Sequence, residues 1–255
     1  MGKSVLRALV PAVAAVLLGA PAAWAQGPPP GPGWHFELTP YLWAASLSAT
    51  LAVQGSPTVE VDTKFGDIVD VLDFGASAAL EARNGPWGIL LDTIYVKLST
   101  NGDTPGPLFS RVDVVEKSAI VGLFAAYRLW DTPFATLDVF GGTRIWIVET
   151  EFKLTGAAAT TRRSSQTKAW ADPVVGAALR ARVWDNLFAS LIADVGGFGI
   201  ASDVTWQAFA GLSYELSERW VLKAGYRAIG VDYSDGGFKF DAIEYGPVIG
   251  VGYRF

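Results

Sequence analysis

Sixteen charged side chains recur at two-residue spacing inside otherwise apolar segments. The acids are Glu81, Asp92, Glu116, Asp138, Asp172, Asp194, Glu215 and Glu244, and the bases are Arg83, Arg128, Arg144, Arg180, Arg182, Lys223, Arg227 and Arg254. Carboxylates and cationic side chains on one face of extended chain are suited to pairing. Buried charges tolerate a low dielectric only when they are paired and hydrogen-bonded. A set of one sign would bias ions in a wide channel. A balanced set predicts ion pairs bridging a narrow interior, which they would line.

Other chemistry is thinly represented. The sequence has no Cys, so it offers no disulfide, thiolate metal site or thiol nucleophile. Its single histidine, His35, has no Ser or Asp partner from which a nucleophile pair can be assembled. No phosphate loop, HExxH or calcium-loop spacing occurs. Glu60, Asp62, Asp67, Asp70 and Asp73 cluster in one connection and could share a divalent cation, but their spacing is not diagnostic and a solvated acidic loop is favoured. Arg162 and Arg163 form a basic loop tip that could meet phosphates, an ordinary solvated tip being favoured. The run Gly196-Gly197-Phe198-Gly199 precedes no helix and reads as a hairpin. No catalytic residue, metal ligand or cofactor is assigned.

The elements that must position the charges are strands. From Ile243 to Phe255 every second residue is apolar or aromatic, and Glu244, Gly246, Val248, Gly250, Gly252 and Arg254 lie between. The same alternation marks ten segments, at about 34–53, 72–83, 87–98, 111–129, 134–153, 168–183, 187–197, 203–216, 220–233 and 239–255. Tight connections at 84–86, 130–133, 184–186 and 217–219 alternate with longer ones. Phe65, Ile68, Val69 and Leu72 fall at helical spacing inside the first long connection, which could also add a hairpin. Pro40 could mark a bulge in the first strand.

One face of these segments is nearly free of charge, as in Ala119, Val121, Leu123, Ala125 and Tyr127, or Leu187, Ala189, Leu191 and Ala193. A charge facing lipid at midplane costs about 2–4 kcal/mol. The pattern predicts an all-β fold: a transmembrane antiparallel up-and-down barrel of about ten strands, with eight or twelve as alternatives. Trp87, Trp130, Trp184 and Trp220 each sit at a tight turn and read as a periplasmic aromatic girdle. Tyr95, Trp146, Trp170, Trp206 and Tyr233 could form the outer one. About eight strands leave an interior that side chains fill, so ten imply a plugged barrel or a small conduit.

Residues 1–25 read as a signal peptide: Lys3 and Arg7, an apolar run from Ala8 to Ala20, and Ala23-Trp24-Ala25 as the cleavage site, with the mature chain starting at Gln26. The run is short for a membrane helix and is interrupted by Pro11 and Pro21. Residues 26–33 form a Pro/Gly linker and 34–255 the barrel. The mature chain has two bases fewer than the 20 of the full sequence and all 25 acids, a formal charge of −7 that argues against nucleic acid as a partner.

Several stretches carry a resemblance: Glu37 to Trp43 (ELTPYLW), Leu72 to Gly75 followed by Glu81-Ala82-Arg83, Asp172 to Gly176, Asp194 to Gly199 with Ser202-Asp203 and Trp206-Gln207, and Gly246-Pro247 through Phe255. They resemble a widespread family of poorly characterised bacterial outer-membrane β-barrel proteins, similar to the group of outer-membrane proteins A and W. The ending is similar to the signal read by the barrel-assembly machinery, with Gly250, Tyr253 and Phe255 at its glycine and aromatic positions and Ile249 where a polar residue is usual. The resemblance implies the cell outer membrane of the Gram-negative envelope. Its lipid and lipopolysaccharide, and the assembly machinery and periplasmic chaperones during biogenesis, are the implied partners.

Three functions follow as expectations. The first is a non-enzymatic, porin-like barrel, structural or a narrow pore for small solutes or ions. The second is a surface interaction or adhesion protein acting through its outer loops. The third, disfavoured, is a barrel enzyme. Known barrel enzymes resemble hydrolases and acyltransferases with a histidine at the outer face, whereas His35 opens the first strand.

Overall fold

The computed structural model describes residues 33–52, 59–103, 111–156 and 161–255. Residues 1–25, expected as a signal peptide, and nearly all of the expected linker over 26–33 lie outside them. The elements are β1 (His35–Trp43), β2 (Ser46–Ala52), β3 (Val59–Thr63), α1 (Phe65–Val69), β4 (Leu72–Asn84), β5 (Trp87–Asp103), β6 (Arg111–Asp131), β7 (Ala135–Thr155), β8 (Thr161–Trp184), β9 (Leu187–Gly196), β10 (Val204–Glu215), β11 (Trp220–Asp235) and β12 (Phe238–Arg254).

Ten strands, β1 and β4 through β12, close into an antiparallel barrel. Closure comes from β1 on β12, with Glu37 opposite Arg254 and Trp43 opposite Val248. Phe36 and Phe255 exchange backbone hydrogen bonds of 3.1 and 3.0 Å at the seam. Closure pairs each barrel strand with two neighbours, the condition for satisfying strands in an apolar surround, save that β4 has no β1 partner beyond Ala78. Among the described residues no helix is long and apolar enough to cross a membrane.

The segment expected as one strand over 34–53 is β1 and β2, interrupted at Ala44-Ala45. Both keep one register on β12, since Ser46 lies opposite Tyr245 and the Ala44 N–H donates to the Pro247 carbonyl at 2.9 Å. The change is on the other side. The β1–β4 ladder runs from His35–Arg83 to Pro40–Ala78 and stops, while β2 pairs higher up with β3. Thus Pro40 marks no bulge, because the β1–β12 register is the same on both sides of it. Register shifts occur instead at Leu72/Phe74, Arg128/Trp130 and Arg182/Trp184. The β2–β3 hairpin and α1, which buries Ile68, occupy the long-loop end.

Strand β8 starts at Thr161, not near 168, and pairs with β7 up to Thr155 opposite Thr161. Its first residues, TRRSSQT, are polar on both faces, so the alternation that betrays the other strands is absent there.

The two faces separate by parity. On β6 the odd residues Leu123 and Tyr127 are exposed, while the even residues Glu116, Ile120, Phe124 and Arg128 are buried. The outer face is an apolar belt. At its short-turn edge Trp87, Trp130, Trp184 and Trp220 are exposed, with Trp87 against Tyr127 at 4.8 Å and Trp220 against Tyr253 at 4.7 Å. At the other edge the first outward charges are Asp73, Lys97, Lys117, Glu149, Asp232 and Asp241. Between Lys117 and Trp130 the strand spends twelve residues, enough for the roughly 9–11 that a tilted membrane strand needs.

Candidate functional site in the barrel interior

The interior is filled in levels, and the level nearest the tight turns is ionic. Lys223 and Arg254, from β11 and β12, both bind Glu37 on β1, Arg254 at 2.9 Å. Arg254 also reaches Glu215 on β10 at 3.1 Å, and Glu215 binds Arg180 on β8 at 3.0 Å. The Arg180 guanidinium lies 3.3 Å from the centre of the Phe188 ring, a cation–π contact. On the opposite wall Arg83 bridges Glu81 at 3.1 Å and Asp138 at 3.0 Å, and Asp138 also binds Arg128 at 2.9 Å. Most of these side chains are buried, with Arg254 and Glu215 half-buried. Together they form a floor of charge-assisted hydrogen bonds.

Above the floor, aromatic rings dock on glycines. A Cβ on Gly211 or Gly225 would fall 2.3 or 2.5 Å from the Phe209 ring, and one on Gly176 would fall 2.3 Å from Phe140. These glycines supply space. Two isolated ion pairs share this region. Arg227 binds Asp92 at 3.2 Å and lies 5.3 Å from the Trp43 ring, and Asp92 accepts a 2.7 Å hydrogen bond from the Tyr41 hydroxyl. Arg144 forks onto both oxygens of Asp194 at 2.9 and 3.0 Å.

The long-loop end of the interior is aromatic and apolar. Trp146 stacks on Trp170 at 5.9 Å, and Trp170 on Tyr233 at 4.1 Å. Expected as part of an outer girdle, these three point inward and are buried. Their parity explains it: Trp146 and Trp170 are even residues of β7 and β8, and Tyr233 is an odd residue of β11, positions that face in on each strand. Of that set Tyr95 and Trp206 face outward.

The structure places fifteen of the sixteen alternating charges inside, buried or half-buried. Arg182 is the departure: beside the register shift at Arg182/Trp184 it is exposed at the mouth, 5.4 Å from the Phe188 ring. Universal ion pairing is also corrected. Asp172 accepts from the Ser202 N–H at 2.8 Å and from its hydroxyl at 2.7 Å, in a sealed turn. Both carboxylate oxygens of Glu244 and Oε2 of Glu116 have no hydrogen-bond partner among the described residues. The neighbours of Glu244 across the ladder are Ile229 and Leu47, so no base lies directly opposite it, and the nearby Arg227 on β11 binds Asp92 instead.

Sequence reasoning missed Glu37, Tyr41 and Trp43 as interior residues. The signal was present, since Glu37, Thr39, Tyr41 and Trp43 alternate with the outward Leu38, Pro40 and Leu42. His35 is exposed, and its Nδ1 lies 3.2 Å from the Gly33 carbonyl. Asp73, from the acidic connection, binds Lys97 at 2.8 Å, and no three carboxylates or histidines gather as a metal site among the described residues.

No protein-family model matches the chain, and no curated protein matches it. Among solved structures, the outer membrane protease OmpT from Escherichia coli aligns over 87% of this chain and 97% of its own, with a TM-score of 0.56 at 10% identity. The translocator domain of the autotransporter NalP from Neisseria meningitidis aligns over 89% of this chain and 90% of its own, with a TM-score of 0.44 at 15% identity. Ail, the attachment invasion locus protein of Yersinia pestis, aligns over 88% of this chain and all of its own, with a TM-score of 0.34 at 14% identity. The OmpT likeness establishes the fold of an outer-membrane β-barrel. It carries no activity across, and the looser superpositions carry no argument.

Proposed function

We propose that this chain is a non-enzymatic barrel of the bacterial outer membrane whose lumen is closed by its own side chains. It serves envelope integrity or the slow passage of very small solutes. The observation that carries the reading is the ionic floor. Glu37, Lys223, Arg254, Glu215 and Arg180 on one wall, and Glu81, Arg83, Asp138 and Arg128 on the other, tie eight of the ten barrel strands into two networks. A water-filled pore would leave such groups hydrated and mobile.

The outer-membrane setting is supported by the apolar belt, its Trp edge and the fold. Signal cleavage after Ala25, a linker over 26–33 and assembly through the Gly250, Tyr253 and Phe255 ending belong to the same proposal. Membership of the outer-membrane protein A and W group rests on the sequence motifs alone. A barrel enzyme is disfavoured because His35 lies at the tight-turn end and contacts a backbone carbonyl.

Single-channel conductance of the refolded mature protein in a planar bilayer tests this. Silence from folded, inserted protein, or rare small steps, is the expected result. Large, stable steps would refute closure. A second reading, surface interaction through the outer loops, is favoured by the extensions of β6, β7 and β8 beyond the belt. Loop exchange that abolished surface binding without changing conductance would support it.

A further inference from the structure

The extensions of β6, β7 and β8 carry a feature that lumen closure does not use. Asp113 on β6, Glu149, Glu151 and Lys153 on β7, and Arg163 and Ser165 on β8 line one open concavity of about 740 Å³. All six are odd-numbered, and on these strands odd residues such as Leu123, Ile147 and Val175 face outward. The concavity therefore opens on the outer wall. Its lower end runs directly into the apolar belt at Ala119, Ile147 and Ala169, so it stands where the headgroups of outer-leaflet lipids must lie.

Its charges are sorted by height. Nearest the belt, Lys117 holds Glu151 at 2.6 Å and Glu149 at 3.5 Å. Asp113 lies four residues beyond Lys117 along β6, about 13 Å at the rise of an extended strand. There the register sets Lys153 directly opposite Arg163. Like charges at directly opposed positions destabilise a sheet. Lys153 reaches Asp113 only at 3.7 Å, and Arg163 has no ion-pair partner among the described residues. The upper end is thus a cationic pair beside one carboxylate, and the lower end one ammonium between two carboxylates. The volume lies in the range of about 300–1,000 Å³ usual for ligand pockets.

We propose that this concavity binds the phosphorylated saccharide headgroup of an outer-leaflet glycolipid. A phosphate sits between Lys153 and Arg163, sugar hydroxyls meet Ser165 and Glu151, and the acyl chains run down the belt. A guanidinium beside an ammonium suits phosphate, the first as a planar fork and the second as a point charge. The membrane is the source because the concavity is continuous with the lipid-facing wall. The proposal rests on the outer-membrane setting and is independent of whether the lumen conducts.

The test compares refolded wild type with Lys153→Gln/Arg163→Gln in phosphatidylcholine vesicles, with and without lipopolysaccharide. Native mass spectrometry reads bound glycolipid and heat-modifiable gel mobility reads unfolding temperature. Wild type should bind lipopolysaccharide and gain unfolding temperature from it. The variant should match wild type in plain vesicles but bind about tenfold more weakly, which corresponds to about 1.4 kcal/mol. Equal binding by the folded variant would overturn the proposal. A second arm needs no variant: wild type with enzymatically dephosphorylated lipopolysaccharide should lose the same gain, and an undiminished gain would overturn the phosphate assignment. Equally tight binding of the soluble phosphorylated saccharide, freed of its acyl chains, would overturn the assignment to a membrane lipid.

Discussion

Asp138→Ala is the sharpest test of the ionic floor. Asp138 is buried and accepts three hydrogen bonds, from Arg83 Nη2 at 3.0 Å and from Arg128 Nε and Nη2 at 2.9 and 3.2 Å. Hydrogen bonds to charged groups contribute about 1.5–3 kcal/mol each. The naive total overstates the loss, because Arg83 keeps Glu81 at 3.1 Å and Arg128 keeps Asp131 at 3.2 Å. Removing one partner of a buried pair costs about 3–5 kcal/mol, which is the expected destabilisation. Asp131→Ala is the internal control. It removes another carboxylate from the same Arg128, but Asp131 is about one-third exposed. Its loss should cost no more than about 1 kcal/mol.

The assay is reversible urea unfolding of protein inserted in thin-lipid vesicles, followed by tryptophan fluorescence. Adding Arg128→Ala to each variant closes a double-mutant cycle, and the coupling should be large for Asp138 and small for Asp131. If Asp138→Ala came within about 1 kcal/mol of Asp131→Ala, the floor would be a hydrated lining and closure by ion pairing would be wrong.

Four further outcomes are expected. Replacing Arg128, Arg144 and Arg227 together with Ala should raise ion permeability in planar bilayers, since their pairs lie at different levels of the lumen; unchanged permeability would count against the plug. Gly142→Ala should abolish heat-modifiable folding, because its Cβ would lie 2.1 Å from the Leu123 carbonyl oxygen, whereas the Gly141 site has nothing nearer than 3.7 Å and should accept Ala. Hydrogen exchange should be faster at the amides of Gly75 and Ser77, past the end of the β1–β4 ladder, than at Glu81 and Arg83 within it; uniform protection would show the seam to be paired. Above the belt, the Lys117 ammonium holds the Glu151 carboxyl below its ordinary value, and Glu151 in turn raises Lys117. The pair therefore stabilises the fold at neutral pH and loses its effect as pH falls through the lowered Glu151 value. Any stability difference between wild type and Lys117→Ala should be small and salt-sensitive at pH 7 and vanish in strong acid.

Legibility followed physical constraint. Where one face meets lipid, a charge costs so much that alternation is enforced, and β9 through β12 could be traced residue by residue. Where every residue is polar, as in Thr161 to Thr167, there is no alternation to read and the strand read as a loop. Strand β1 is an intermediate case. Its outward positions include Pro40, which weakens the alternation, so Glu37 went unassigned although it anchors Lys223 and Arg254. Facing direction was readable for most charges, but partner identity was not. Arg83 and Asp138 are 55 residues apart and meet only because β4 and β7 carry them to one height in a closed barrel. No local spacing records that height.

The same reasoning explains why an equal count of acids and bases does not give universal pairing. Bases cluster toward the floor, where Arg83, Arg128, Arg180, Lys223 and Arg254 lie, while Glu116 and Glu244 sit higher in the interior with no base directly opposite them. Glu244 is flanked by Ile229 and Leu47, and its two oxygens have no hydrogen-bond partner among the described residues. A carboxyl in such surroundings is costly to keep, so Glu244→Gln should stabilise the barrel while leaving the floor intact. The measurement is the same urea titration, run beside Asp138→Ala. A gain for Glu244→Gln with a loss for Asp138→Ala would show that burial height, not membership of the alternating set, decides the worth of each charge. A loss of similar size in both would mean that the Glu244 charge is worth keeping, through the nearby Arg227 or through water, and burial height would not decide the worth of each charge.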